Sequence, residues 1–446
     1  MPNKSKLDSP SGLSDSQHAA DPLHRAEMIE AMIAKYSSGL EYALPKVEHN
    51  GERHVAAETI LLTGSTGNLG SEILASLLSK DRVRRVYALN RRSSSFTIME
   101  RHKVRFEDRA LDVSLLSSPK LVFLEGENDL PDLGLSGSIT KELQQELTMV
   151  LHMAWTLNFN MPLSSFESQV KGTRSLIDLA RSCERRADLR FLFAASVTVA
   201  HAWDRSNGPY PEKLVMDAKY AIGNGYGESK YVVERILAKS GLDATSLRIG
   251  QICGGEPNGA WSTSEWFPVM VNVSLSLGVL FEAETVFDCR WIPMDAVSST
   301  IIDVGFTSDD MPFAVNIEHP YRAPSVILMQ GLRNSLIREL RLPSNSLPLI
   351  SVPEWNKILQ RSAEEHIFPH IDFLAKFIRE NWLKADNEVE LPVDFALSNG
   401  MRLSKTMRKL KPVDTDLVDK WVKYWVASGF LRSSMLCKGQ PGRARL

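Results

Sequence analysis

Apolar and polar positions change their period along this chain. From Thr59 onward, short unbroken apolar runs (Thr59–Thr63, Val86–Leu89, Leu121–Leu124, Met149–His152, Phe191–Ala195 and Ser246–Ile252) are separated by stretches whose apolar positions fall three and four apart, such as Ser164–Cys183 and Gly227–Lys239. Unbroken apolar runs read as strands covered on both faces, and the intervening spacing reads as amphipathic helix. Strands alternating with helices predict a parallel sheet with helices on each side. The expected class is therefore α/β, with any ligand at the carboxyl ends of the strands, near the point where the strand order reverses.

The flanks differ from this central pattern. Residues 1–22 are rich in Ser, Asp, Lys and Pro and read as disordered. Met28, Ile29, Met32 and Ile33 give Leu23–Tyr36 a helical face, and a polar linker follows to residue 58. Beyond about Gly254 the pattern is mainly helical and holds seven of the nine tryptophans. One stretch, Trp291–Ile317, is expected to return to the sheet: Pro293-Met-Asp295 opens a helix and Phe313–Ile317 forms a late strand. The organisation expected is a leading helix and linker (23–58), a dinucleotide-binding sheet domain (59–255, with 291–317 returning to it), a smaller helical substrate domain (256–290 and 318–435) and a flexible tail (436–446).

Composition narrows the partners. The 446 residues contain 43% hydrophobic and 24% charged residues with a net charge of -2, which gives no reason to expect nucleic acid or an anionic membrane as partner. Cys183, Cys253, Cys289 and Cys437 form no CxxC pair, so a disulfide framework and a metal site are not expected and a reducing compartment is. No apolar stretch approaches the ~20 residues that span a bilayer. The chain reads as cytoplasmic, and its last residues, Ala444-Arg445-Leu446, share the small-basic-leucine chemistry of a peroxisomal address.

The candidate chemistry begins where the first strand ends. Gly64-Ser65-Thr66-Gly67-Asn68-Leu69-Gly70 joins that strand to a helix carrying Ile73, Leu74, Leu77 and Leu78 on one face. A glycine turn in this context lets a pyrophosphate rest on the free N–H groups and positive dipole end of the helix. After the second strand comes Asn90-Arg91-Arg92, with no carboxylate to take the ribose hydroxyls of NAD. Two guanidinium groups suit a 2′-phosphate and favour NADPH, although both arginines also fit a solvated loop.

More than a hundred residues later comes Tyr226-Gly-Glu-Ser-Lys230. A Tyr and a Lys four apart share one helical face, and the ammonium is expected to lower the phenol pKa toward working pH, making Tyr226 a general acid or base. Ser196, at the carboxyl end of a buried strand, supplies a second hydroxyl, with Thr198 a competitor two positions on. The Tyr–Lys spacing occurs by chance in many helices; its place downstream of the glycine turn is what gives it meaning.

Taken together, these residues resemble the extended short-chain dehydrogenase/reductases and, more narrowly, the thioester reductase domains of fungal nonribosomal peptide synthetase-like enzymes, α-aminoadipate reductases and carboxylic acid reductases. The resemblance spans roughly Glu27–Leu431. It rests on Leu62-Thr-Gly-Ser-Thr-Gly-Asn-Leu-Gly70, His152-Met-Ala-Trp155, Pro162-Leu-Ser-Ser-Phe-Glu167, Val170-Lys-Gly-Thr173, Gly225-Tyr-Gly-Glu-Ser-Lys230, Leu247-Arg-Ile-Gly-Gln-Ile252, Trp291-Ile-Pro293 and the late Trp421-Val-Lys-Tyr-Trp425. It departs from the family pattern at Glu127-Asn128, Met153 and Gln169.

The resemblance implies a Rossmann-type doubly wound sheet whose Gly64–Gly70 turn binds the pyrophosphate. Arg91 and Arg92 would meet the adenosine phosphate, Ala154 and Trp155 line the nucleotide, and Ile252 lie by the nicotinamide. It implies NADPH-dependent reduction of an acyl thioester to an aldehyde, and onward to an alcohol if a second hydride follows, with Ser196, Tyr226 and Lys230 catalytic. No Gly-x-Asp-Ser-Leu carrier signature precedes Thr59, so the acyl donor is expected to be a phosphopantetheinylated carrier protein supplied in trans, or acyl-CoA. The rival readings are a reductase or epimerase of a free ketone or nucleotide sugar, a non-reducing cyclase relative, and a nucleotide-sensing protein without catalysis.

Overall fold

The apolar runs assemble into a seven-stranded sheet in the order β10-β6-β5-β4-β1-β2-β3, every neighbouring pair parallel. The strands are β1 (Glu58–Thr63), β2 (Val83–Asn90), β3 (Leu121–Glu125), β4 (Met149–His152), β5 (Arg190–Ser196), β6 (Asp243–Ile249) and the late β10 (Ala314–Ile317). The computed structural model describes residues 21–40, 57–282, 290–323, 325–364, 374 and 393–435. Residues 1–20, most of the expected linker, and the tail with Ala444-Arg445-Leu446 lie outside them, as do Cys289 and Cys437.

The doubly wound α/β reading of the pattern therefore holds. Strand order reverses between β1 and β4, whose ends are in register at Thr63 and His152. In a parallel sheet that junction opens a crevice at the carboxyl edge.

On one face of the sheet lie α1 (Pro22–Ser37), α5 (Glu167–Ser182) and α6 (Gly225–Ala238), joined in one apolar core with Phe191 and Phe193 of β5. The opposite face is covered by α2 (Asn68–Leu78) and α8 (Met294–Gly305), whose Ile73, Leu77, Val297 and Ile301 are fully buried. Helix α1 starts at Pro22, capped by Asp21. Its Ile29 and Ile33 are buried, and Arg25–Glu228 and Glu30–Arg235 (2.8 Å) ion pairs fasten it to α6. The leading helix is thus a brace on the element that carries Tyr226.

One strand departs from the sequence reading. Ser246–Ile252 reads as a single run, but β6 ends at Ile249, and Ile252–Cys253 (β7) pairs instead with Ile292–Pro293 (β9) in a separate two-stranded ladder. Gly250 is the break: a Cβ there would meet Glu318 Cγ at 2.8 Å, and its N–H still donates to Ile317 O while the chain peels away. The return to the sheet through α8 and β10 occurs as the pattern predicts.

The C-terminal core is built from α7 (Trp266–Leu277), α9 (Ser325–Glu339), α10 (Val352–Glu364) and α11 (Thr415–Ala427), with Trp261, Trp291, Trp355, Trp421 and Trp425 all buried. Some of these rings pack edge to face, as for Trp261 on Trp421 at 4.9 Å, and Trp355 packs edge to face on Phe281 at 5.3 Å. Most of the tryptophan-rich half is therefore ordinary core. Among the described residues no helix is long and apolar enough to cross a membrane.

Candidate active site

The turn after β1 is held tightly by its surroundings. Gly64 adopts φ +77°, and a Cβ there would lie 2.8 Å from Ala154 N. At Gly70 a Cβ would lie 2.1 Å from Gly64 O, a backbone atom with nowhere to move. Only glycine satisfies both positions. Gly67 occupies the cap of α2 without a side-chain cap and so leaves the first helical N–H groups, from Asn68 and Leu69, uncapped. This cradle fits the pyrophosphate of a dinucleotide.

A polar lattice that sequence reasoning missed fixes the turn from behind. Asn90, the last residue of β2, donates through Nδ2 to Ser65 Oγ (2.7 Å), while its Oδ1 accepts from Thr66 N (3.3 Å) and Thr66 Oγ1 (3.1 Å). Ser65 Oγ also meets His102 Nε2 at 2.9 Å, and burial holds that imidazole at about 4. His102 lies on α3 (Ile98–Asp108), whose start carries a Thr97–Glu100 capping box. Arg101 on the same helix donates to Arg91 O (2.7 Å) and reaches Thr66 Oγ1 (3.4 Å). Arg91 and Arg92 are exposed just beyond β2, so three guanidinium groups stand there, not two. The Thr97-x-x-Glu100 spacing was the available signal that a helix begins there and returns Arg101 to the turn.

Across the switch point, Thr63 Oγ1 bonds His152 Nδ1 (2.8 Å) and accepts from Ala154 N (3.1 Å), and His152 Nε2 bonds Thr173 Oγ1 (2.9 Å). Both imidazole nitrogens are occupied, and burial holds His152 at about 3, so it is neutral. Gln169 accepts from Thr156 N at 2.8 Å, so this departure from the family pattern ties down the loop after Trp155.

Ser196, Tyr226 and Lys230 are brought together at the carboxyl end of β5. Ser196 ends that strand, its Oγ accepts from Thr198 N (3.2 Å), and it lies near enough to the Tyr226 phenol to draw that pKa down. The Oγ1 of Thr198, the competing hydroxyl, is buried and has no hydrogen-bond partner among the described residues. Tyr226 sits in the first turn of α6, which Asn224 caps by accepting from Gly227 N at 2.9 Å. Phe159 meets the Tyr226 ring edge-on at 5.2 Å and Phe166 at 6.3 Å. Lys230 Nζ donates to Ala194 O (2.5 Å) and lies over the rings of Trp155 (4.0 Å) and Phe193 (4.6 Å), 5.6 Å from the Tyr226 ring centre.

This geometry corrects the electrostatic expectation for the pair. The ammonium was expected to draw the Tyr226 pKa down. Instead burial pushes the phenol up to about 12, with only Ser196 pulling the other way. Desolvation also holds the Lys230 ammonium well below the usual lysine range, and its proton is committed to Ala194 O. At both residues burial is the largest cause of the shift. Tyr226 is therefore a protonated phenol at neutral pH, poised as a donor.

Ile252 begins β7 and is partly exposed. Beside it Gln251 Nε2 donates to Ile252 O (2.8 Å) and, at 3.5 Å, to Glu265 Oε2, which also accepts from Trp261 Nε1 (3.0 Å). Burial raises the Glu265 carboxyl to about 7. No sequence motif pointed to Glu265.

The family model described as male sterility protein, an NAD-binding domain, matches residues 62–301. The chain is 42% identical over 426 residues, 91% of its length, to the adenylate-forming reductase Nps11 of Serpula lacrymans var. lacrymans, and spans 38% of that protein. It is 35% identical to Nps10 of Heterobasidion annosum over 92% of the chain and 38% of the relative. Among solved structures, the terminal R domain of the myxalamid PKS-NRPS pathway superposes with a TM-score of 0.74 at 24% identity, covering 92% of this chain and 99% of that one, a likeness of fold.

Proposed function

Because this chain belongs to the male sterility protein family of NAD-binding reductase domains, within the extended short-chain dehydrogenase/reductases, we propose that it is an NADPH-dependent oxidoreductase that releases a carrier- or CoA-bound acyl group as an aldehyde. These two relatives are adenylate-forming reductases, and the chain spans about two fifths of their length. The observation that carries the reading is the placing of Ser196 and Tyr226 together at the carboxyl end of β5, two strands from the glycine turn of β1, with Lys230 one helical turn away.

In this reading Gly64–Gly70 and the uncapped amides of α2 hold the pyrophosphate, and Arg91 and Arg92, helped by Arg101, hold a 2′-phosphate. Ala154, Trp155 and Ile252 line the nucleotide. Residues 59–255 with 291–317 form the cofactor unit; 256–290 and 318–435 form the substrate unit. The bound dinucleotide supplies the hydride. Ser196 and Tyr226 donate to the thioester oxygen as it gains charge, an arrangement fixed before the reaction begins. Tyr226 is a protonated donor at neutral pH, and Lys230 Nζ lies 5.6 Å from its ring centre. Collapse of the hemithioacetal releases the thiol and the aldehyde, and repetition would give the alcohol.

The test is NADPH oxidation against acyl-pantetheine, acyl-CoA and carrier-loaded thioesters, with a simple ketone as comparison. Turnover of a thioester with equimolar thiol release supports the reading. Turnover of the ketone alone would transfer the protein to the rival ketone-reductase class.

A further inference from the structure

Lys230 is a buried amine whose neighbours are rings. It is 2% exposed, and among the described residues no carboxylate pairs with it. Other buried cations of the chain have such partners: Arg109 is held by Glu72 (2.9 Å) and Arg248 by Glu234 (2.7 Å). Lys230 Nζ instead donates to Ala194 O (2.5 Å) and stands 4.0 Å from the centre of the Trp155 ring and 4.6 Å from that of Phe193. His152 on β4 packs against both rings, at 6.1 Å and 5.6 Å, but it is neutral and its nitrogens are taken by Thr63 and Thr173.

The chain on either side fixes the Trp155 ring. Ala154 N donates to Thr63 Oγ1 (3.1 Å) and Thr156 N to Gln169 Oε1 (2.8 Å). The indole meets Phe193 edge-on at 5.6 Å. Its Nε1 is buried and has no hydrogen-bond partner among the described residues, so no polar contact of the indole accounts for its place. Its face covers the amine.

A ring face favours the ammonium over the neutral amine. Burial pulls Lys230 the other way. A carboxylate would also hold the proton, but it would cancel the charge that a phenolate at Tyr226 draws on. The rings hold the ammonium and leave its charge usable.

We infer that Trp155 is a positioning residue for Lys230: together with Phe193 it forms an aromatic seat that stands in for a counter-ion and keeps the amine on Ala194 O beside Tyr226. The inference deepens the reductase reading and rests on it, and it gives Trp155 a task separate from lining the nucleotide. Of the two rings, Trp155 is nearer the amine, and indole offers the strongest cation–π face. Phe193 also belongs to the apolar core under α6, so its replacement would disturb the fold as well.

The experiment is a double-mutant cycle on the full chain: wild type, Trp155→Leu, Lys230→Met and the double variant, with Trp155→Phe as the conservative replacement. The readout is the single-turnover rate of benzoyl-pantetheine reduction at saturating NADPH. Trp155→Leu should slow it by about tenfold or more, the scale of a desolvated cation–π contact, and Trp155→Phe, which keeps a ring face, by less than about threefold. In the Lys230→Met background Trp155→Leu should change the rate by less than about twofold, because its effect passes through the amine. A tryptophan that only fills space would give the same loss in both backgrounds. That outcome, or a Trp155→Leu protein with the wild-type rate, would overturn the inference while leaving the reductase reading intact. A wild type that reduces no thioester overturns that reading. The cycle is then decided on urea midpoints of the same four proteins, where losses that simply add overturn the seat and losses that do not add support it.

Discussion

The Glu234–Arg248 pair offers a measurable link between a buried charge and the catalytic helix. Glu234 lies one helical turn beyond Lys230 on α6, and Arg248 lies on β6; both side chains are fully buried. The contact is a fork, Nε to Oε1 at 2.7 Å and NH2 to Oε2 at 2.8 Å, with Ser246 Oγ adding a third bond to Oε1 at 2.6 Å. The guanidinium also donates to Pro211 O (2.8 Å) and Lys213 O (3.0 Å) and lies 4.8 Å over the Tyr210 ring.

Arg248→Met leaves Glu234 with Ser246 as its one remaining side-chain donor among the described residues, and an uncompensated buried charge costs about 3–5 kcal/mol. Removing both charges with Glu234→Met/Arg248→Met eliminates that penalty, because a buried pair replaced by apolar groups of similar volume is often close to neutral. The double variant should therefore be at least ~2 kcal/mol more stable than additivity of the two single variants requires. The assay is urea unfolding of all four proteins at one pH, comparing midpoints at constant m-value, with NADPH binding followed in parallel. Single-variant losses below 1 kcal/mol, or losses that simply add, would refute the argument that this pair holds α6 against the sheet.

Three further outcomes are expected. Gly70→Ala drives a Cβ to within 2.1 Å of Gly64 O, so the turn must shift, at a cost of about 1–3 kcal/mol; titration calorimetry should show NADPH affinity down by at least tenfold. Arg91→Ala/Arg92→Ala should weaken NADPH by roughly 10–100-fold while leaving NADH nearly unchanged, since a charged hydrogen bond contributes about 1.5–3 kcal/mol; equal losses on both cofactors would exclude a 2′-phosphate site. Glu265 has a folded pKa of about 7 against an ordinary 4.5, so its contribution is present below pH 4.5 and lost as pH rises through 7. Glu265→Gln should therefore gain on wild type between those values by up to about 3 kcal/mol, an upper bound because part of the residue stays open to water; a gap that does not grow between pH 5 and 8 counts against it.

Legibility in the sequence followed the range of the interactions. The strands of the main sheet could be read because strands buried on both faces leave unbroken apolar runs, and β4 was located to the residue. The end of β6 was misread because Ile249 and Ile252 continue the apolar run, while the close approach of Glu318 to Gly250 comes from a residue far away in the chain. The glycine turn and the Tyr–Lys spacing are local and were visible. Asn90, Arg101 and His102 were not, because their partners Ser65 and Thr66 lie on a different element. The direction of the Tyr226 shift was also beyond local reading: a lysine four residues away is evident in the sequence, but the burial that raises the phenol depends on the folded structure.

The central claim is that the Tyr226 phenol gives its proton to a thioester oxygen during hydride delivery. The direct measurement is single-turnover reduction of an acyl-pantetheine by wild type and Tyr226→Phe, following NADPH loss and thiol release together. The account predicts equimolar consumption and release in wild type, and a fall of about 10²–10⁴-fold in the rate of both for Tyr226→Phe with NADPH affinity retained. A Tyr226→Phe protein that reduces the thioester at the wild-type rate would contradict it.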